Sequence, residues 1–85
     1  MKTFNYVITD ELGIHARPAG LLVKEAKKFE SSIKITVGEK TVDAKGIMGV
    51  MQLAAKQGDE ITLSVEGADE DAAMASIEAF LKNNL

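Results

Sequence analysis

The chain has 85 residues and a formal net charge of −3, a length that predicts one domain over residues 1–85 and a charge that disfavours general binding to nucleic acid or anionic membranes. With no cysteine and one histidine, we expect no disulfide, no redox centre and no metal site. No apolar run is long enough to span a bilayer and the N-terminus does not resemble a signal peptide, so we expect a cytoplasmic protein.

The first half of the chain predicts a strand, a helix and a hairpin. Apolar side chains alternate with polar ones over residues 3–8, which indicates a half-buried strand. From Ala16, apolar residues recur at helical spacing, namely Ala19, Leu22, Val23, Ala26 and Phe29. Alternation resumes at residues 33–37, and the Gly-Glu pair at 38–39 predicts a tight turn into a short strand at 40–42.

The second half predicts a short helix, a strand and a longer helix. The short helix carries an apolar stripe of Ile47, Val50, Met51 and Ala54. A strand follows at residues 61–65, and the last helix has acidic residues at its start and the stripe Ala73, Ile77, Phe80 and Leu81. The order β-α-β-β-α-β-α predicts an α+β open-faced β-sandwich, with a four-stranded antiparallel sheet, three helices on one face and water on the other.

Residues 13–18, Gly-Ile-His-Ala-Arg-Pro, contain the only histidine, the only arginine and the only proline of the chain. Pro18 is compatible with the first turn of a helix, because the N–H that proline lacks would have no partner within the helix there. The helix N-terminus and Arg17 favour an anion, and the imidazole of His15 is a nucleophile with an ordinary pKa of ~6.5. These residues alone leave two interpretations open: a histidine that caps a surface helix, or a phosphohistidine carrier.

Residues 46–51, Gly-Ile-Met-Gly-Val-Met, form the second notable segment. A helix this short cannot bury all of its apolar side chains, so we expect Met48 and one neighbour to face solvent and to form a deformable docking patch. The alternative is an ordinary core stripe. Four lysines are predicted either to surround this patch or to form a solvated surface: Lys24, Lys27, Lys28 and Lys45.

Together, residues 13–19 and 46–51 resemble the two signatures of the HPr family, the histidine-containing phosphocarriers of the bacterial phosphoenolpyruvate:sugar phosphotransferase system, and the resemblance covers the whole chain. It implies that His15 accepts a phosphoryl group on Nδ1 from phosphorylated enzyme I, itself charged by phosphoenolpyruvate. The group then passes to the IIA domains of sugar permeases. Arg17 and the backbone N–H groups of Ala16 and Arg17 would stabilise the phosphate.

The resemblance also implies a monomeric carrier, not an enzyme, that needs no cofactor. Its partner-binding surface would comprise Leu12, Gly20, Leu21, Lys24, Lys27, Ile47, Met48, Met51, Leu53 and Lys56. One position departs from the family pattern. Many HPr proteins of Gram-positive bacteria have, at the position of Gly46, a serine that an ATP-dependent kinase phosphorylates; glycine has no hydroxyl, so this regulation is expected to be absent.

Two other classes of function compete with the phosphocarrier interpretation. A regulatory relative that only binds partners would have no need of the nucleophile His15 or of Arg17. An RNA-binding module is suggested by the spacing of Gly46 and Gly49, which resembles the G-x-x-G loop of KH domains. The apolar residues between these glycines, the negative net charge and the order of elements disfavour it.

Overall fold

A computed structural model of the chain describes residues 1–11, 16–53 and 55–85, with only the backbone at Ala16. Within these ranges the structure has four strands and three helices in the predicted order. They are β1 (Lys2–Val7), α1 (Ala16–Ala26), β2 (Ser32–Val37), β3 (Lys40–Asp43), α2 (Ile47–Gln52), β4 (Glu60–Glu66) and α3 (Glu70–Asn84).

The four strands form one antiparallel sheet in the order β1-β4-β2-β3. The period-two pattern of each strand divides the sheet into two faces. One face packs into the core through Ile33, Ile35, Ile61, Leu63 and Val65. The other carries side chains that are exposed or half-buried, namely Thr3, Asn5, Lys34, Thr36, Thr62 and Ser64. The predicted open-faced architecture is therefore confirmed.

Each of the two longer helices buries most of the stripe that its sequence predicts, but Phe80 is only half-buried, and Phe29 is half-buried and lies beyond the end of α1. Ala19, Leu22, Val23 and Ala26 of α1 and Ala73, Ile77 and Leu81 of α3 join the strand residues in one core. The β2–β3 turn also follows the prediction. Val37 pairs with Lys40, and Gly38 between them has φ of 60°, a left-handed conformation that glycine adopts at little cost.

The predicted apolar stripe of α2 is wrong in its phase. The structure buries Val50 and, one residue beyond the helix, Leu53, whereas Ile47 and Met51 are exposed; Ala54 lies outside the described residues. Periodicity fixes the buried face of a long helix, but six residues make fewer than two turns. Packing against α1 and β3 therefore decides which side of α2 turns inward.

Asp69 joins α3 to the loop before β2. Its carboxylate accepts hydrogen bonds from the backbone N–H groups of Glu30 and Ser31, both at 2.9 Å, and from the Ser31 hydroxyl. The acidic residues at the start of α3 are predicted from the sequence to interact with the helix dipole, and these hydrogen bonds give Asp69 a second role. The Ser31 hydroxyl, followed by the Glu30 N–H, holds the pKa of the Asp69 carboxyl below its ordinary value.

This lowered pKa predicts that the Asp69 carboxylate stabilises the fold at neutral pH. The contribution is complete above the unfolded-state pKa and is lost as the pH falls through the lower, folded-state pKa. We expect Asp69→Asn to lower the urea midpoint at neutral pH, and the gap between variant and parent to narrow below about pH 4. Urea titrations at several pH values check this; a gap that stays constant into acid would contradict it.

Candidate functional site

Residues 8–10, which lead into residues 12–15, are held by hydrogen bonds to Leu85 after α3 and to the turn before β4. The carbonyl oxygen of Leu85 accepts from the N–H groups of Thr9, at 2.5 Å, and Asp10, at 2.8 Å, and from the Thr9 hydroxyl at 2.8 Å. On the other side, Ile8 exchanges hydrogen bonds with the turn before β4, accepting from the N–H of Gly58 and donating to the carbonyl of Asp59. The chain therefore enters the histidine motif from a fixed position.

His15, the predicted phosphoryl acceptor, lies outside the described residues, as does Leu12. The residues that follow it begin α1. Ala16, Arg17 and Pro18 form the first turn, as predicted, and Pro18 is buried there. The first backbone N–H groups of a helix have no partner within the helix, and they carry the positive end of its dipole. The geometry therefore supplies donors beside the histidine position.

The Arg17 side chain is exposed and forms no ion pair with any residue in the described ranges. No acidic residue occupies the first turn of α1 either. The Arg17 guanidinium and the positive end of the helix dipole therefore both contribute positive charge at the start of α1. This arrangement favours an anion such as phosphate.

Arg17 lines a cleft of ≈ 250 Å³ between the start of α1 and the end of α3; the other lining residues are Asp10, Pro18, Leu21, Asn83 and Asn84. The Asn84 amide donates to the Phe80 carbonyl at 3.0 Å, which fixes its orientation. The sequence motif does not identify Asn83 and Asn84 as cleft residues. No local signal points to them, because their position beside α1 depends on the packing of the two helices.

The residues predicted for partner binding on α1 share one exposed side of that helix. Gly20, Leu21 and Lys24 face solvent, opposite the buried stripe, and so does Lys27, one residue beyond the end of α1. On α2, three of the predicted residues are exposed, by 38% at Ile47, 69% at Met48 and 43% at Met51. We call these three residues the α2 patch. The two helices pack against each other, so both sets lie on neighbouring elements.

Leu53 does not share the exposure of the other members of the predicted surface. Its side chain is only 4% exposed, because it packs into the core together with Val50. Lys56 is exposed, and its backbone N–H donates to the Asp59 carboxylate at 2.9 Å. Leu53 therefore packs on the core side of α2 and presents little surface to a partner.

Two of the four lysines named in the sequence analysis have partners in the structure, and two have no ion-pair partner among the described residues. The Lys45 ammonium is half-buried and donates to the carbonyl of Phe29 at 2.7 Å, and Lys28 pairs with Glu25 at 3.1 Å. Lys24 and Lys27 are exposed and form no ion pair with a described residue. These two lysines, with Arg17, supply the positive charge on the exposed side of α1.

Two negative findings apply to the parts of the chain that the structure describes. No group of three or more His, Cys, Asp or Glu side chains is placed there to hold a metal ion. None of the helices described is long and apolar enough to cross a membrane.

Comparison with known families shows the family to which the chain belongs. A family model described as the PTS HPr component phosphorylation site matches residues 2–83. The chain belongs to the HPr family. It is therefore a phosphocarrier of the phosphotransferase system and not itself a catalytic enzyme, and the RNA-binding interpretation is wrong.

Individual HPr relatives agree over nearly the whole chain. The phosphocarrier protein HPr of Lysinibacillus sphaericus is 49% identical over 81 residues, 95% of this chain and 92% of that protein. The solved histidine-containing phosphocarrier of Mycoplasma is 45% identical with a TM-score of 0.94, covering 96% of this chain and 93% of that one. HPr from Thermoanaerobacter tengcongensis is 41% identical with a TM-score of 0.93, covering 98% and 93%; a further structure from that organism is an HPr dimer.

Proposed function

We propose that this chain accepts a phosphoryl group on Nδ1 of His15 from phosphorylated enzyme I, itself charged by phosphoenolpyruvate, and donates it to the IIA domains of sugar permeases. The observation that carries the proposal is Arg17, exposed in the first turn of α1 without an acidic partner among the described residues. Arg17 is two positions from the single histidine, in a chain whose family model is named for a phosphorylation site.

The chemistry requires little of the protein beyond binding and charge. The lone pair of Nδ1 attacks the phosphorus while Nε2 keeps its hydrogen, so a phosphorus–nitrogen bond forms and the bond to the donor breaks. Charge on the phosphoryl oxygens is stabilised by the Arg17 guanidinium and by the backbone N–H groups of Ala16 and Arg17. No residue need act as a strong base, which suits a group that must leave again.

Partner docking is proposed on the exposed side of α1 and on the α2 patch. A shuttle must bind each partner briefly, and a small contact area allows rapid release. Lys24 on α1 and Lys27, one residue beyond its end, steer acidic partner surfaces and raise the rate of encounter without demanding high affinity. We further propose that the chain acts in the cytoplasm and as a monomer, the latter being open to test by sedimentation.

The transfer steps are tested with the isolated phosphorylated chain. After incubation with phosphoenolpyruvate and enzyme I, the chain is separated from both and mixed with a IIA domain. We expect the chain to lose one phosphoryl group and the IIA domain to gain one, as measured by intact mass. A phosphorylated chain that retains its label in the presence of several IIA domains would contradict the proposed direction of transfer.

Met48→Glu is expected to slow phosphoryl transfer from enzyme I by about tenfold or more, because it places a charge in the centre of the α2 patch. The fold should remain intact, since the Met48 side chain is 69% exposed. Transfer rates at limiting chain concentration measure the effect. Thr3→Glu, which adds the same charge to an exposed position of β1, is the matched control. Equal rates for the two variants would remove Met48 from the interface.

Serine-based regulation is proposed to be absent because Gly46 stands at the start of α2. The backbone there is extended, with φ of −113° and ψ of 114°, and the Gly46 carbonyl accepts the Val50 N–H at 3.1 Å. A Cβ at this position would meet nothing closer than the Asp43 carbonyl at 3.7 Å, an ordinary contact. Serine would therefore fit, and its absence affects modification without affecting the fold.

The Gly46 proposal predicts no acid-stable phosphate on this chain after treatment with ATP and the HPr kinase. Gly46→Ser is the matched variant, and it should acquire one acid-stable phosphoryl group because the fold admits the hydroxyl. Intact mass after acid treatment distinguishes this ester from phosphohistidine. Acid-stable label on the parent chain, at the buried Ser31 or the exposed Ser32, would contradict the proposal.

A further inference from the structure

The α2 patch contains two of the four methionines of the chain, and their side chains are its main apolar surface. Met48 is 69% exposed and Met51 is 43% exposed, three residues apart on α2. The remaining two lie elsewhere: Met1 is 75% exposed ahead of β1, and Met74 is half-buried on α3. Thioethers that face solvent are open to oxidation, whereas those in a core are shielded.

We propose that Met48 and Met51 form an oxidation-sensitive site, at which peroxide-class oxidants convert the thioethers to sulfoxides and thereby weaken docking of the phosphoryl donor. The inference rests on the proposed function of the same surface. Met48 reacts first because it is the more exposed of the two, and Met51 follows.

The reaction balances with hydrogen peroxide as the oxidant. The sulfur lone pair attacks one peroxide oxygen, a sulfur–oxygen bond forms and the oxygen–oxygen bond breaks. Sulfur loses two electrons, and the peroxide is reduced to water. The product is a neutral side chain of nearly the same length, with a strongly polar oxygen in place of an apolar, polarisable surface. Methionine sulfoxide reductases reverse it.

Oxidation at these positions should alter the surface of α2 without unfolding it. The inward side of the helix is held by Val50 and Leu53, which are 0% and 4% exposed and contain no oxidisable atom. A sulfoxide at Met48 therefore remains in water and leaves no buried polar group. In a docked complex the same oxygen would be covered by partner atoms, and the lost hydration would weaken binding.

The test measures phosphoryl transfer from enzyme I before and after hydrogen peroxide treatment, with peptide mapping of each sulfoxide. Each protein is compared with its own untreated form. We expect about a tenfold loss of kcat/KM for the parent and for Met74→Leu. The double variant Met48→Leu/Met51→Leu should keep its untreated rate, even though Met1 oxidises in it. Sulfoxide reductase should restore the parent, and Met48→Gln should reproduce the loss without oxidant.

Circular dichroism before and after treatment provides the structural control. The inference is overturned if the parent oxidises at Met48 and Met51 without a change in transfer, or if the double variant loses transfer equally. Loss of the folded spectrum on oxidation would also overturn it. Failure of the untreated parent to take up any phosphoryl group would instead contradict the proposed function, so the two failures are distinguishable.

Discussion

Replacement of His15 by alanine is expected to abolish phosphoryl uptake from phosphorylated enzyme I. The chain contains no other histidine and no cysteine, so no second side chain offers a neutral nucleophile of comparable strength near pH 7. Serine and threonine hydroxyls attack phosphorus only with a base to accept their proton. Intact mass after incubation with phosphoenolpyruvate and enzyme I should therefore show only the unmodified variant.

Two controls separate chemistry from folding in this experiment. The thermal unfolding midpoint of His15→Ala shows whether the variant is folded at the temperature of the assay. Lys40→Ala, on the edge strand β3 and outside the proposed docking surface, should accept a phosphoryl group at the rate of the parent. A mass gain of one phosphoryl group in folded His15→Ala would assign the acceptor to another residue.

The largest expected effect on stability is that of Gly67→Ala, at about 3 kcal/mol of unfolding free energy. Gly67 has φ of 153°, a conformation that residues other than glycine rarely adopt. A Cβ there would also lie 2.6 Å from the Ser31 hydroxyl oxygen and 2.7 Å from the Ser31 Cα. Ser31 is 1% exposed and is hydrogen-bonded to Asp69, so it cannot move away to accommodate the added Cβ.

Gly38→Ala is the matched variant for this prediction. Gly38 also has positive φ, at 60°, but a Cβ there meets nothing within 4 Å. Its replacement should cost only the conformational strain, about 1 kcal/mol. Urea unfolding of both variants measures the difference. Equal losses would show that the close approach of Gly67 to Ser31 contributes nothing, and would contradict the packing of the β4–α3 junction described above.

The architecture could be predicted because each long element repeats its signal several times. The strands alternate in period two, and α1 and α3 carry stripes that recur over more than two turns. In α2 the signal is too short: the stripe predicted from the sequence includes Met51, which is exposed, and the predicted docking surface includes Leu53, which is buried. A helix of six residues is too short for periodicity to determine its buried face, so packing against neighbouring elements determines it.

The chemistry of the site could be predicted from the motif, but the contacts that position it could not. Pro18 indicates the start of a helix and Arg17 indicates an anion site, each through the chemistry of its own side chain. The hydrogen bonds from Thr9 to Leu85 join residues 76 positions apart, and Asp69 reaches Ser31 across 38 positions. Such contacts exist only after the sheet and helices have packed, so no local pattern in the sequence contains them.

The most direct test of the central claim is to locate the phosphoryl group on the parent chain. After charging with phosphoenolpyruvate and enzyme I, phosphorus and nitrogen NMR identifies the atom to which the group is bonded. We expect one phosphorus–nitrogen bond, at Nδ1 of His15, that is lost in acid. A phosphoryl group on Nε2, on a hydroxyl or carboxylate oxygen, or none at all, would contradict the account.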